Sequence, residues 1–170
     1  MYDDSFRVQR IPSSDEWRAW LAAHAAKLLL YARQQTRCAT DAEDVLQDAL
    51  VESWRNVEGN APPIALVFAT IRRRAVDHAR ANDRRARREQ AGEPAPWFEP
   101  EVEPRDTQRL LEDAVKNLTP IYREVVTLRV WGGLTFREIA DTIGVPLNTA
   151  ASRYRYALEE LRGSLKEVQP

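Results

Sequence analysis

Eight arginines lie within the twenty residues Ile71–Gln90, which read IRRRAVDHARANDRRARREQ. Three acidic residues share this segment, so its local charge is +5, although the 170-residue chain has a formal net charge of -1. Guanidinium groups at this density bind phosphates, because each neutralised phosphate releases the counterions condensed on it. The segment therefore predicts contact with a nucleic-acid backbone, and a solvated, charged helix surface is the alternative.

A second group of charges, this time acidic, lies in the segment TDAEDVLQDALVESWRNV, residues 40–57. Asp44 and Asp48 are four residues apart on one face of the predicted helix, where like charges repel each other slightly. Helix stability alone does not favour this pair, so the face indicates a basic protein partner, with a merely solvated face as the alternative. Two carboxylates also suit acid–base or metal chemistry, but no histidine cluster or partner motif accompanies them.

We expect helices to position both the arginine segment and the acidic segment, because alanine, leucine, arginine and glutamate are abundant and the chain has only 6 glycines. The capping-box pattern, Ser or Thr followed three residues later by Glu, predicts helix starts at Ser13, Thr40 and Thr135. Another helix is expected from about Ile64 into the arginine segment. Apolar residues at three- and four-residue spacing mark the inward positions of the two charged helices. They are Val45, Leu46, Ala49, Leu50, Ser53, Trp54 and Val57, then Val67, Phe68, Ile71 and Ala75.

An acidic, proline-rich stretch, AGEPAPWFEPEVEPRDTQ, interrupts the helical signals. Its four prolines and five acidic residues show no helical period, so an extended linker is expected. We therefore predict an all-α protein of two small helical domains joined by an extended acidic linker. The expected bounds are a tail at 1–12, a first domain at 13–90, the linker at 91–106 and a second domain at 107–168.

The segment LTFREIADTIGVPLNTAASRYRYALEELR has the pattern of a helix-turn-helix. A capped short helix is followed by the turn Gly144–Pro146 and then by a longer helix, as in DNA-binding helix pairs. The short side chains of Ala150 and Ala151 predict few base contacts, and a helix pair that only packs is the alternative. Polar residues at the start of the second helix suit base edges and phosphates. They are Asn148, Thr149, Ser152, Arg153, Arg155 and Tyr156.

Composition disfavours several other classes of site. The single cysteine, Cys38, excludes an intramolecular disulfide and a cysteine-based zinc site. No apolar run approaches the roughly 20 residues of a membrane span, and the first residues lack the apolar core of a secretory signal. We expect a cytoplasmic protein without a metal or cofactor site.

Three segments taken in order resemble a bacterial RNA polymerase sigma factor of the sigma-70 family, extracytoplasmic-function (ECF) group. They are DAEDVLQDALVESW, VFATIRRRAVDHARANDRR and the helix-turn-helix, and the resemblance spans about residues 20–166. It implies a region 2 domain and a region 4 helix-turn-helix domain, with no domain between them. It also implies a protein that is not an enzyme. Such a protein binds core RNA polymerase, recognises the −10 and −35 promoter elements and assists promoter melting.

The resemblance also implies a role for each polar surface. Docking on core polymerase, at the largest-subunit clamp and flap regions, maps to Asp44, Gln47, Asp48 and Glu52. The −10 element, with one base flipped into the loop at about 56–63, maps to Asn56, Asn60, Arg72, Arg73, Asp77, His78, Arg80 and Arg84. The −35 element maps to the six polar residues of the last helix. The linker would thread towards the RNA exit path, and an anti-sigma factor is an expected partner.

Two positions depart from many relatives: Arg73 stands where they have asparagine, and Ala151 where they have lysine or arginine. These departures affect individual base-reading assignments rather than the family. The residues themselves leave two other functions open. A stand-alone helix-turn-helix regulator would use the N-terminal half for dimerisation or sensing and bind a palindromic site as a dimer. An enzyme based on Asp44 and Asp48 is the weakest alternative, because nucleophile, metal and phosphate-loop motifs are lacking.

Overall fold

The computed structural model describes the backbone of residues 14–57, 61–89 and 114–168, and the side chains of 15–57, 61–82 and 114–165. All regular structure in these ranges is helical. The helices are α1 Ser14–Gln35, α2 Ala39–Arg55, α3 Ile64–Glu89, α4 Pro120–Val126, α5 Phe136–Ile143 and α6 Leu147–Val168. The predicted tail and linker, and the predicted cap at Ser13, lie outside the described residues.

The first domain contains α1, α2 and α3, which pack against one another in pairs. Its core forms because apolar residues recur at three- and four-residue spacing on each helix. Leu28 and Tyr31 of α1 lie in one buried cluster with Val45 of α2 and with Phe68 and Ile71 of α3. Full burial of such side chains stabilises by roughly 1.5–3 kcal/mol each, so this core fixes the orientation of the charged faces of α2 and α3.

The start of α2 differs from the prediction. The helix begins at Ala39, and its N-cap is Cys38, whose sulfur accepts a hydrogen bond from the backbone N–H of Asp41 at 3.4 Å. Thr40 therefore lies inside the first turn, and the predicted capping box at Thr40 is wrong. The physical reason lies in the preceding turn. The Thr36 hydroxyl is shared between the carbonyls of Ala32, at 2.9 Å, and Cys38, at 3.3 Å, and so holds Cys38 beside the end of α1.

The second domain contains α4, α5 and α6. Thr119 precedes α4 and Pro120 occupies its first turn, a position that suits proline because a proline there gives up no helical hydrogen bond. Arg123 ties the helical residues 114–117 to this domain, because its Nε donates to the backbone carbonyl of Val115 at 3.2 Å. Such bonds satisfy carbonyls that a helix end leaves unpaired.

A π-helical turn, Thr127–Trp131, continues α4 and has no counterpart in the sequence prediction. It ends at Gly132, where an added Cβ would lie 2.4 Å from the carbonyl oxygen of Leu128, so a larger residue does not fit. Gly133 then adopts a φ of +70°, which favours glycine. The helix therefore ends at this glycine pair, and the chain turns there towards α5.

The predicted helix-turn-helix is confirmed by α5 and α6. The Thr135 side chain accepts from the Glu138 backbone N–H at 3.3 Å, and the Glu138 carboxylate accepts from the Thr135 backbone N–H at 2.7 Å. This reciprocal capping box begins α5. Gly144 ends the helix in the left-handed conformation, with a φ of 70°. The facing sides of the two helices are buried at Ile139, Ala140, Ile143 and Ala150, while Ala157 and Leu161, further along α6, are buried against Leu118 and Val126.

The two domains pack against each other. Helix α3 contacts α5, and α1 contacts the π-helical turn. One buried cluster joins Phe68 and Ile71 of α3 with Val125, Leu128 and Ile139 of the second domain. The all-α fold of two small helical domains is therefore confirmed, and in this arrangement their apolar cores are continuous.

Candidate nucleic-acid interface

One face of α3 lies at the boundary between the two domains. Arg72, Arg73, Asp77 and Arg80 line a cavity of about 240 Å³ that Thr142 of α5 also borders. We call these four α3 residues the α3 basic face. Arg73, Asp77 and Arg80 recur at four- and three-residue spacing, and Arg72 directly precedes them, so all four border one side of the helix. The structure thus brings together half of the residues predicted for the −10 element, beside the helix-turn-helix.

Arg72 reaches across the domain boundary. Its Nε donates a hydrogen bond to Oε1 of Glu124 in α4 at 3.1 Å, and the Tyr31 hydroxyl donates to the same oxygen at 2.8 Å. The Glu124 side chain is only 14% exposed, whereas that of Arg72 is 37% exposed. A predicted DNA-contacting arginine is therefore engaged by a carboxylate of the other domain.

The tyrosine in this contact stays protonated over a wide pH range. Burial raises the pKa of Tyr31 well above its ordinary value of 10.0, and the neighbouring Glu124 carboxylate raises it further. The Arg72 charge acts in the opposite direction but is outweighed. The hydroxyl therefore donates to Glu124 at neutral pH, and two donors from two helices of the first domain share one oxygen.

Glu52 turns from α2 towards α3. Its Oε1 accepts a hydrogen bond from Arg73, and its Oε2 accepts one from Nε of Arg74 at 2.7 Å. Partial burial opposes ionisation, but the hydrogen bonds and charges of Arg74 and Arg73 outweigh it and lower the pKa of the Glu52 carboxyl. The sequence predicts a polymerase contact for Glu52; the structure shows it joining α2 to two arginines of α3.

The other acidic residues predicted on α2 remain open to solvent. Asp44, Gln47 and Asp48 are exposed, while Val45 and Ala49 on the opposite side are buried. The buried seam fixes the rotation of α2 and holds the three polar side chains away from the core. We call these three residues the α2 acidic face; it is accessible in this arrangement of the domains.

The remaining residues predicted for the −10 element lie in different places. His78 is half-buried, with Nδ1 at 3.9 Å from Oδ2 of Asp41, so its ring faces α2. Asn56 is exposed and forms the C-cap of α2. Asn60 lies outside the described residues, and Arg84 lies in α3 with its side chain outside them.

The start of α6 is accessible to solvent. All six residues predicted for the −35 element are exposed or partly exposed: Asn148, Thr149, Ser152, Arg153, Arg155 and Tyr156. The Arg155 guanidinium lies over the Tyr156 ring, 5.0 Å from its centre, and the two side chains form a cation–π contact. The Ser152 hydroxyl donates to the Asn148 carbonyl at 2.7 Å, so in this state it bonds to its own helix.

Aromatic residues near the predicted base-binding loop serve packing. Trp54 meets Trp17 edge-on at 4.2 Å between ring centres, and Trp20 at 5.0 Å. Phe68 is fully buried and meets Tyr31 edge-on at 5.2 Å. The predicted core position is confirmed for Phe68, whereas Trp54 is half-buried in a cluster of tryptophans.

Sequence reasoning missed three residues of this interface: Tyr31, Arg74 and Glu124. Arg74 belongs to the arginine segment, but helical spacing does not show which carboxylate it meets. Glu124 directly precedes Val125 and Val126 in the segment IYREVV. This position is a weak signal that its carboxylate is partly buried and paired. Its partners lie 93 and 52 residues away along the chain, so local pattern gives no indication of them.

Among the described residues, no helix combines the length and apolarity that a membrane crossing requires. Nor do the His, Cys, Asp and Glu side chains in those ranges form a group of three or more suited to a metal ion. The groups that the interface does present are guanidinium, carboxylate, amide and hydroxyl groups.

Comparison with protein families assigns both domains. The family described as sigma-70 region 2 matches residues 20–85, the domain that carries the α2 acidic face and the α3 basic face. The family described as sigma-70, region 4, matches residues 108–161, the domain that carries the helix-turn-helix. Together the two matches cover well over half of the chain.

Individual proteins agree with this assignment. The ECF RNA polymerase sigma factor SigL of Mycobacterium tuberculosis (strain H37Rv) is 32% identical over 158 residues, covering 89% of each chain. SigK of Mycobacterium bovis, also an ECF sigma factor, is 31% identical over 133 residues, covering 72% of this chain and 71% of the relative.

Two solved structures share the fold. The sigma factor RpoE of Bartonella quintana, solved with the anti-sigma factor NepR, has a TM-score of 0.68 at 23% identity and covers 93% of this chain and 100% of that chain. CnrH, solved with the cytosolic domain of CnrY, has a TM-score of 0.56 at 20% identity, covering 90% and 89%. Two family regions in the expected order and a relative spanning most of the chain show that this protein belongs to the sigma-70 family, as an ECF sigma factor that directs transcription initiation.

Proposed function

We propose that this sigma factor docks on core RNA polymerase through the α2 acidic face, and that it recognises −10 DNA through α3 and −35 DNA through α6. The observation that carries the proposal is the placement of the acidic, basic and polar surfaces on three different helices of two linked domains. One chain then connects polymerase to both promoter elements. Sigma factors are transcription initiation factors rather than enzymes, and the proposal includes no catalytic step.

Docking requires a basic surface on the polymerase, which we take to be the largest-subunit clamp, with a further contact at the flap. Asp44, Gln47 and Asp48 are exposed along one side of α2 and offer two charges and an amide. Complementary charge speeds association and fixes the orientation of the partners. Glu52 contributes by joining α2 to Arg73 and Arg74, so that docking and DNA-binding helices move as one body.

Recognition and melting of the −10 element follow from the arginines of α3. Each phosphate that they neutralise adds affinity and makes binding depend on salt. Capture of a flipped base by the loop after α2 offsets part of the cost of unpairing, about a few kcal/mol. The residues that we propose for this element are Asn56, Asn60, Arg72, Arg73, Asp77, His78, Arg80 and Arg84.

Recognition of the −35 element follows from the exposed start of α6, which we propose enters the major groove. Asn148 and Arg155 offer an amide and a guanidinium, the groups that pair with adenine and guanine edges. Ala150 is buried against α5 and supplies no contact. The remaining proposed contacts are Thr149, Ser152, Arg153 and Tyr156, and phosphates and groove shape contribute a large share.

An anti-sigma factor is a further proposed partner. RpoE of Bartonella quintana was solved with the anti-sigma factor NepR, which supports this proposal. We propose that the acidic linker lies along the RNA exit path once polymerase is bound. The site of action is then the cytoplasm, where polymerase and promoter DNA meet.

Reconstituted transcription tests the proposed function. Purified protein and core polymerase are incubated with fragmented genomic DNA, and the 5′ ends of the transcripts are sequenced. We expect defined start sites that share −10 and −35 sequences and are missing without the protein. Absence of binding to core polymerase at low salt would refute the proposal, and a dimer on a palindromic site without polymerase would favour the regulator.

The docking surface has its own test in the double variant Asp44→Asn/Asp48→Asn. Because both charges are lost while the buried seam is unchanged, we expect at least tenfold weaker binding to core polymerase and unchanged binding to DNA. A loss of about 1.4 kcal/mol corresponds to this factor. The control Glu159→Gln/Glu160→Gln removes two exposed carboxylates from α6 and should bind polymerase like the unchanged protein. Equal polymerase binding by both double variants would contradict docking through α2.

A further inference from the structure

We propose that Glu124 is a latch: in the packed arrangement its carboxylate occupies Arg72 in place of a DNA phosphate, so −10 DNA binds only after the domains separate. This inference rests on the proposed function of the α3 basic face and adds a mode of regulation to it. Four observations support it: the contacts of Glu124, the chemistry of the competing ligand, the position of α5 and the continuous core.

The contacts of Glu124 join the two domains at one oxygen. Arg72 of α3 and Tyr31 of α1 donate to Oε1 at 3.1 and 2.8 Å. Val125 and Val126, which follow it in α4, are buried, so the helix holds the carboxylate in a fixed position. Separation of the domains must break both hydrogen bonds at once.

The carboxylate and a phosphate compete for the same group. A guanidinium group binds both carboxylate and phosphate oxygens through charge-assisted N–H···O hydrogen bonds, which are often bidentate. While Arg72 donates its Nε to Glu124, that donor is not available to a DNA strand. The pairs of Glu52 with Arg73 and Arg74 differ, because all three residues belong to the first domain and those pairs do not depend on the position of the second.

The position of α5 adds a steric barrier. Thr142 of α5 borders the cavity in front of Arg72, Arg73 and Asp77. Helix α5 therefore packs beside the α3 basic face, and a DNA strand that follows α3 past Arg72 meets this helix.

The continuous core gives the packed arrangement its stability. Val125, Leu128 and Ile139 are buried together with Phe68 and Ile71, so separation exposes apolar surface on both sides. Desolvation offsets much of the attraction within this partly buried pair, but removal of one partner alone leaves the other without its counter-charge and destabilises the packed state. The pair therefore aligns the packed state and opens when a competing anion replaces Glu124. The free energy lost when this apolar surface is exposed would be offset when one domain docks on polymerase and the other on DNA.

The variant Glu124→Gln tests the latch in the full-length chain. It keeps the shape of the side chain and removes the charge; the control Glu159→Gln removes an exposed charge from the same domain. We expect about a tenfold shift towards the open form for Glu124→Gln, seen as a larger radius of gyration in small-angle X-ray scattering, and no shift for the control. A fluorescein-labelled single-stranded DNA of mixed sequence should bind several-fold more tightly to Glu124→Gln than to the control. Equal radius and equal affinity for both variants would overturn the latch.

A second pair of variants, in which the charges of Glu124 and Arg72 are exchanged, tests the latch even if Glu124→Gln fails to fold. Glu124→Arg alone should open the protein, because it places two guanidinium groups together. Glu124→Arg combined with Arg72→Glu restores an opposite pair and should return the scattering profile to the compact form. Arg72 belongs to the proposed DNA site, so this arm measures compactness only. A double variant as open as the single one would overturn the latch.

The two proposals fail in distinguishable ways. If the unchanged protein supports promoter-specific transcription and Glu124→Gln neither opens nor binds DNA better, the latch is wrong and the proposed function stands. If the unchanged protein gives no specific transcript with core polymerase, the proposed function is wrong, and the latch as a regulator of promoter binding is wrong with it.

Discussion

Tyr31 connects the core of the first domain to the interface between the domains. Its ring is fully buried and meets Phe68 edge-on, while its hydroxyl donates to Glu124. A buried tyrosine must satisfy its hydroxyl, because an unpaired polar group in an apolar core is costly. In this protein the only hydrogen bond recorded for that hydroxyl among the described residues crosses to the other domain. The side chain that fills the core therefore also specifies how the domains pack.

The raised pKa of Tyr31 predicts a loss of stability in alkali. The folded protein holds this proton more tightly than the unfolded chain, whose tyrosine titrates near 10.0. The stabilisation is therefore complete below pH 10 and is lost as the pH rises from there towards the raised pKa. Helical circular dichroism from pH 8 to 11.5 should show unfolding that is steepest above pH 10.

The variant Tyr31→Phe tests this assignment. Without its hydroxyl, it should be less stable at neutral pH by roughly 1.5–3 kcal/mol, because a hydrogen bond to a charged group is lost. It should also lose stability less steeply above pH 10. Tyr156→Phe alters an exposed ring and serves as the control. An alkaline profile of Tyr31→Phe that parallels the unchanged protein would assign the transition to another group.

At the scale of single helices, local motifs decide how well the sequence predicts structure. The cap at Thr135 is predictable because both partners of the box lie within four residues and no other element is needed. The predicted cap at Thr40 is wrong because Cys38 is held by Thr36 of the preceding turn, a contact that the S/T-x-x-E pattern does not contain. The π-helical turn at Thr127–Trp131 also escapes prediction, since its residues follow the ordinary helical pattern.

Thr135→Ala should destabilise the helix-turn-helix. The substitution removes the oxygen that accepts from the Glu138 backbone N–H, a loss that typically costs about 0.5–2 kcal/mol. It also weakens the hydrogen bonds from Thr135 that lower the pKa of Glu138. That contribution is present above the ordinary pKa of 4.5 and is lost as the pH falls, so the difference in stability between the variant and the unchanged protein should become smaller in acid.

The matched control for this prediction is Thr119→Ala. Thr119 is also an N-cap threonine, at α4, but its side chain makes no capping hydrogen bond. Thermal unfolding at pH 7 should therefore show a lower Tm for Thr135→Ala and a smaller change for Thr119→Ala. If both variants lose the same stability, the capping hydrogen bond is not the cause.

At the scale of the whole molecule, the order of the two domains is predictable and their packing is not. The arginine segment, the acidic proline-rich stretch and the helix-turn-helix are each continuous in sequence, so their composition and residue spacing locate them. Apolar residues such as Phe68 and Ile139 are identified as inward by spacing alone. Spacing does not reveal that these two share one cluster, because that requires a contact between residues far apart in the chain.

Phe68→Ala should reveal that the two domains share a core. Loss of this buried ring typically costs about 3–5 kcal/mol, and the cavity would lie in the cluster that Val125 and Ile139 also line. Hydrogen exchange of backbone amides should therefore accelerate in α3 and also in α5.

Leu161→Ala is the contrasting variant, because Leu161 lies in a separate cluster within the second domain. It should accelerate exchange in α6 and leave α1 to α3 protected. If Phe68→Ala leaves α5 as protected as in the unchanged protein, the domains have independent cores, and the stability of the packed state must come from polar contacts such as that of Glu124.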